Sequence, residues 1–213
     1  MHKKGFFFPL GDENPCTCTP FVNWAIIGIN VLVFLFSLGA YEFTINEYGF
    51  IPAEFGILTL FTSMFLHGGW AHLFGNMWFL LIFGDNVEDK LGHYRYFLFY
   101  IGSGIAATLV HFATDPSSLI PTIGASGAIS GVLGAYIVFY PHAGVYVSGG
   151  YGRAGKVPAF MMLGLWFLFQ LIQGATSLLG APSGIAFFAH IGGFVFGFVI
   201  GWLFRKSPSP FKK

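Results

Sequence analysis

The sequence predicts an all-α, polytopic membrane protein of six transmembrane helices, and three observations carry that expectation. Of 213 residues, 55% are hydrophobic and 9% are charged, too few charges to coat a water-facing surface. Six apolar stretches approach the roughly 20 residues a spanning helix needs. All ten Lys and Arg fall on one side of a six-span thread.

Taken in order, the chain begins with a polar or mixed arm, 1–20, holding Cys16 and Cys18. One CxC is too little for a disulfide framework or a closed zinc site, so the two thiols are read as reduced bystanders and no metal is expected. The first span, near 21–40, follows this arm without a small-residue cleavage site and reads as an anchor. Next comes "FGILTLFTSMFLHGG", residues 55–69. It is too short to cross and reads as a helix or loop in the outer interface. The remaining spans are expected near 70–84, 95–114, 121–140, 157–173 and 185–204, followed by a tail, 205–213. The second is short and begins with polar residues.

Lys3, Lys4, Lys90, Arg95, Arg153, Lys156, Arg205, Lys206, Lys212 and Lys213 share one side of this thread. By the positive-inside rule that side is cytoplasmic, as are both termini. The net charge of +1 gives no indication of a nucleic-acid partner.

With that orientation, three spans enter from outside carrying polar residues at similar depth: His72 and Asn76 on the second, Ser126 on the fourth and His190 on the sixth. His72 and Asn76 lie one turn apart on one helix face. His190, Gly193, Gly197 and Gly201 form a small-residue stripe; Ser126, Ser130 and Gly134 form another, with Gly127 and Gly131 beside it. Such stripes let membrane helices approach closely. If they face each other, Ser126 and His190 meet at the outer end of one seam, as a nucleophile and its base require. The same pattern also describes helix packing alone, with a Ser–His hydrogen bond that merely joins two helices.

The nine acids lie outside the six predicted spans, which disfavours an aspartyl mechanism. HExxH is absent. No Lys lies in a span, leaving a Ser–His dyad without a carboxylate. Asn76, backed by His72, and the Ser126 backbone N–H could donate to a developing oxyanion. Ser130, one turn below Ser126, is then the nearest candidate by sequence to orient His190. His67 is expected to hydrogen-bond backbone near the double glycine, His111 to lie close to the site in a packing role, and Trp70, Trp78, Trp166 and Trp202 to face lipid or anchor at the interface.

"GASG" at 124–127, "AHIGGFVFG" at 189–197 and "HGGWAHLFGN" at 67–76 together resemble the rhomboid family of intramembrane serine proteases. The resemblance spans about residues 20–204. It implies a rhomboid-like bundle, with Ser126 as nucleophile, His190 as general base, Asn76 and His72 lining the oxyanion site, and 55–69 as a membrane-embedded first loop. Glu88 and Gly92 match a pairing of the family at the inner end of the second and third spans. The implied activity is hydrolysis of peptide bonds in or near the transmembrane segment of a single-pass or other membrane protein, with no cofactor. The expected location is the plasma (inner) membrane of a prokaryote. Two departures stand out: "GILTLFTS" lacks a Trp-Arg pair common in the family's first loop, and Ser130 replaces an aromatic residue on which the histidine often rests. The alternatives are a catalytically silent rhomboid-like protein that binds membrane clients, and a small transporter.

Overall fold

A computed structural model describes residues 8–148, 154–179 and 184–211. Lys3, Lys4, Arg153, Lys212 and Lys213 lie outside the described residues. Each of the six predicted segments contains a helix: α1 (Phe21–Ser37), α4 (Trp70–Leu91), α5 (His93–Thr114), α6 (Ser126–Phe139), α7 (Ala159–Leu178) and α8 (Phe187–Phe204). Among the described residues, four helices are long and apolar enough to cross a membrane: 21–48, which joins α1 to the short α2 (Tyr41–Tyr48), then α5, α7 and α8. The 22-residue α4 ends in a charged turn with Asp85, Glu88, Asp89 and Lys90.

The α6 helix has 14 residues, about 21 Å at 1.5 Å per residue. That is less than the ~30 Å hydrocarbon thickness. Its environment explains how so short a helix is accommodated. Residues 127–136 are all buried, so protein rather than lipid surrounds it. The predicted span began at 121, but 121–124 is not helical, with Thr122 in an isolated β-bridge to Phe50. Gly124 has φ +126, a conformation side chains rarely adopt, so the helix begins after it, at Ser126.

Two small-residue stripes hold α6 against α8, as expected. A Cβ at Gly193 would fall on the Gly127 carbonyl, one at Gly197 on the Gly131 carbonyl, and one at Gly201 would lie 3.0 Å from the Ala135 Cα. Backbone therefore meets backbone along the seam. In lipid there is little hydrophobic drive between helices, so close packing of this kind supplies much of the association.

At the opposite end from Ser126, Glu88 is fully buried. Its carboxylate accepts the N–H groups of Val22 (3.1 Å) and Asn23 (2.7 Å) at the start of α1, and lies 2.5 Å from His93 Nδ1. A carboxylate there satisfies two orphan donors and complements the helix dipole. Asn23 in turn donates to the Leu80 carbonyl and accepts from Tyr96, tying α1, α4 and α5 together.

The fold is mostly helical but not all-α. β1 (Phe8–Asp12), β2 (Gly144–Ser148) and β3 (Ala154–Pro158) form an antiparallel sheet in the order β1-β2-β3. Val145 and Val147 point into the protein while Tyr146 is exposed, the period-two alternation of a half-buried strand. The sheet joins the arm to the α6–α7 connection, and Glu13 pairs with Lys156 across it. Lys90 Nζ donates to the Ser207 carbonyl and Ser209 Oγ to that of Asp89. The arm, this connection, the end of α4 and the tail thus gather at one end of the bundle.

The segment between α2 and α4 holds a single 3-10 turn at Pro52–Glu54, α3 (Ile57–Thr62), and another 3-10 turn at Ser63–Phe65. It is stitched to the strand-like entry of α6. Phe50 and Thr122 exchange backbone hydrogen bonds, and the Gly124 N–H donates to the Ser63 carbonyl at 2.9 Å.

Candidate active site

His72 is the third residue of α4, Ser126 the first of α6 and His190 the fourth of α8. Three first turns therefore converge, each with backbone N–H groups lacking intrahelical acceptors and the positive end of a helix dipole. The sequence placed Ser126 five residues inside a helix; it stands instead at the helix start.

His190 Nε2 lies 2.8 Å from Ser126 Oγ, and His190 Nδ1 lies 2.8 Å from Gln170 Oε1. Gln170 Oε1 can only accept, so the Nδ1 proton belongs to this bond and Nε2 is left as the acceptor for the serine O–H. Gln170 sits on α7 and is buried. Trp166, one turn earlier, places its ring 6.0 Å from the histidine ring, centroid to centroid.

This corrects the expectation for Ser130. Its Oγ donates to the Ser126 carbonyl at 2.6 Å, the i−4 back-bond common to helical serines, and so does not orient the imidazole. Gln170 and Trp166 flank the ring from α7 instead. Trp166 therefore does not simply face lipid. Nor is Trp78 only an interface anchor, since its Nε1 donates to the Pro9 carbonyl at 2.7 Å.

The His72 Nδ1 accepts the Gly68 N–H at 3.2 Å, which leaves Nε2 as the donor of the neutral ring. That edge overlies Gly124: a Cβ there would lie 2.8 Å from both His72 Cε1 and Nε2. Asn76 is buried, and its Nδ2 donates to His67 Nε2 at 3.0 Å. The second amide proton remains for another acceptor. His67, expected near backbone, thus holds Asn76. His111 does not line the Ser126 cleft.

That cleft has a volume of about 230 Å³, and its walls include His72, Asn76, Ser126, Trp166 and His190. A cavity of about 420 Å³ adjoins it through His72 and is lined by His111, Ser118 and Thr122 among others. Neither Trp166 nor Gln170 was singled out from sequence as a site residue. The one available signal was that Gln170 stands one turn after Trp166, at the end of the apolar run that opens α7.

Comparison with known proteins bears on this arrangement. The family model described as Rhomboid domain matches residues 54–207. The chain belongs to the rhomboid family. This rhomboid is 30% identical over 157 residues to Rhomboid-like protein 11, chloroplastic, of Arabidopsis thaliana, covering 70% of the chain and 52% of the relative. It is 29% identical over 193 residues to Rhomboid protein 1, mitochondrial, of Saccharomyces cerevisiae, covering 86% and 53%. YdcA of Bacillus subtilis, named as a candidate rhomboid protease, is 28% identical over 189 residues, covering 86% and 88%. The rhomboid chain thus spans about half the length of the plant and yeast relatives. Its family and its apolar helices make it an integral membrane protein.

Proposed function

We propose that this rhomboid is an intramembrane serine endopeptidase in which Ser126 and His190 act as nucleophile and general base. The observation that carries the reading is the chain of two 2.8 Å contacts, Ser126 Oγ to His190 Nε2 and His190 Nδ1 to Gln170 Oε1, at the wall of an open cleft.

In this reading the Ser126 oxygen attacks the carbonyl carbon of a peptide bond as His190 Nε2 takes its proton. Gln170 Oε1 stabilises the imidazolium that forms. The new oxyanion is met by the Ser126 backbone N–H, the His72 Nε2–H and the free Asn76 amide proton, donors already in place before charge develops. His190 then protonates the leaving amide nitrogen, giving a Ser126 ester. Water, reaching it through the polar cavity beside His72, is deprotonated by His190 and hydrolyses that ester.

The proposal includes six spans with both termini cytoplasmic, in the plasma (inner) membrane of a prokaryote. A protease domain occupies 21–204, between an arm, 1–20, and a tail, 205–213. The first loop, 55–69, is membrane-embedded, and the substrates are single-pass or other transmembrane proteins. The gathering of Lys90, Lys156 and the tail at one end supports the sidedness.

The test is labelling of the full chain in detergent by a fluorophosphonate probe. Wild type should be labelled at Ser126, while Ser126→Ala and His190→Ala should not. A folded wild-type protein that resists the probe would point to the silent alternative.

A further inference from the structure

The arm brings Cys16 and Cys18 against the charged end of α4. Their sulfurs are 3.7 Å apart, and one donor atom from each of Cys16, Cys18 and Asp89 lies within 4.8 Å of the others. From these contacts we infer that Cys16, Cys18 and Asp89 form a binding site for a divalent zinc-like cation that fastens the arm to the inner end of α4.

The geometry matches what such an ion needs. Two thiolates at about 2.3 Å from one tetrahedral zinc stand roughly 3.8 Å apart, close to the spacing here. The carboxylate is also positioned independently of any ion. Asp89 is buried, and its Oδ1 accepts from Thr17 N (3.0 Å), Thr17 Oγ1 (2.5 Å) and Cys18 N (2.9 Å). Those bonds hold the CxC turn against the helix. Donors of this kind orient a ligating carboxylate and are part of a built site.

The electrostatic setting points the same way. Asp85 and Asp89 act on Cys16, and Asp89 and Glu88 on Cys18, as neighbouring carboxylates. A divalent cation meets that excess of negative charge and replaces the two thiol protons. Two thiols and a carboxylate favour zinc over copper(I), which prefers thiolates alone. Water completes the tetrahedron. Binding releases two protons, one from each thiol.

The site is remote from Ser126 and does not depend on the proposed activity. The probe is cobalt(II), then zinc, titrated into metal-stripped full-length protein in detergent. One equivalent of cobalt should give thiolate-to-metal charge-transfer absorption and the visible bands of a tetrahedral ion, both displaced by zinc. Cys16→Ser with Cys18→Ser should abolish them, and Asp89→Asn should weaken zinc binding by at least tenfold. Zinc should raise the melting temperature of wild type but not of the double variant, and metal-free wild type provides the folded reference. Absence of the charge-transfer band, a Cys16–Cys18 disulfide in freshly purified reduced protein, or equal zinc binding by the double variant would overturn the inference.

Discussion

Replacing Gln170 by Leu removes the acceptor for His190 Nδ1 while keeping similar bulk. The bond is 2.8 Å long and Gln170 is 5% exposed, so water cannot readily substitute. While His190 is neutral, such a bond contributes on the order of 0.5–1.5 kcal/mol, rising to about 1.5–3 kcal/mol once its partner is charged. In the proposed mechanism the imidazole becomes charged only as Ser126 attacks, so part of this energy appears only in the transition state. Adding loss of the favoured tautomer, a cost of about 2 kcal/mol corresponds to a roughly 30-fold fall in kcat. Gln170 does not line the cleft, so KM should change little. The assay is steady-state cleavage of a single-span model substrate in detergent. Gln170→Glu, which keeps an acceptor, should recover most of the rate. Ser130→Ala should cost less than about threefold, since that hydroxyl bonds to the Ser126 carbonyl. A Gln170→Leu enzyme with wild-type kcat, or a Ser130→Ala loss as large, would refute the assignment.

Four further outcomes follow from the same contacts. Ser126→Ala and His190→Ala should each abolish cleavage, with the double variant no worse than either, because groups acting as one unit are not additive; residual cleavage by Ser126→Ala would move the nucleophile elsewhere. Asn76→Ala should lower kcat by about 10²–10³ with little change in KM, whereas a rise in KM alone would make Asn76 a substrate contact. Gly197→Ala forces a methyl onto the Gly131 carbonyl and should destabilise by about 1–3 kcal/mol, while Gly164→Ala, with open space around it, should not; equal melting temperatures would refute the seam. Burial holds the Asp12 carboxyl above its ordinary range, partly offset by the Tyr136 hydroxyl that donates to it. The folded state therefore binds the proton more tightly than the unfolded one, and this group's contribution to stability falls as pH rises through that window. Asp12→Asn should make the fall in melting temperature with rising pH shallower, and an unchanged slope would count against this account.

Much of this was legible in the sequence, and the omissions have physical causes. Apolar length located the six helical segments, and glycine spacing together with shared depth pointed to a seam with Ser126 and His190 at its outer end, though the same spacing also described packing alone. The sheet was not legible. "FPLGD" contains a proline and a glycine, and each strand has five residues, so the pairing depends on contacts far apart in the chain. The start of α6 was misplaced because Pro121–Ala125 is as apolar as a helix, and the φ of Gly124 is a three-dimensional fact. Gln170 was overlooked because the rotation of α7 decides which of its two glutamines, Gln170 or Gln173, meets the histidine. Asp89 joins Cys16 and Cys18 across about seventy positions of chain, a proximity that no local spacing encodes.

The order in which the helices leave the ribosome has a consequence for safety. His72 and Asn76 emerge first, on α4; Ser126 follows on α6, Gln170 on α7, and His190 only on α8. With the roles proposed above, a chain interrupted after Leu178 would hold Ser126 and the oxyanion donors, yet no base to activate the serine. The glycine seam that brings His190 to Ser126 is also made only when α8 arrives. Under the proposed mechanism, chemistry would be withheld until the final segment is in place, and abandoned translation products would lack the means to attack their neighbours.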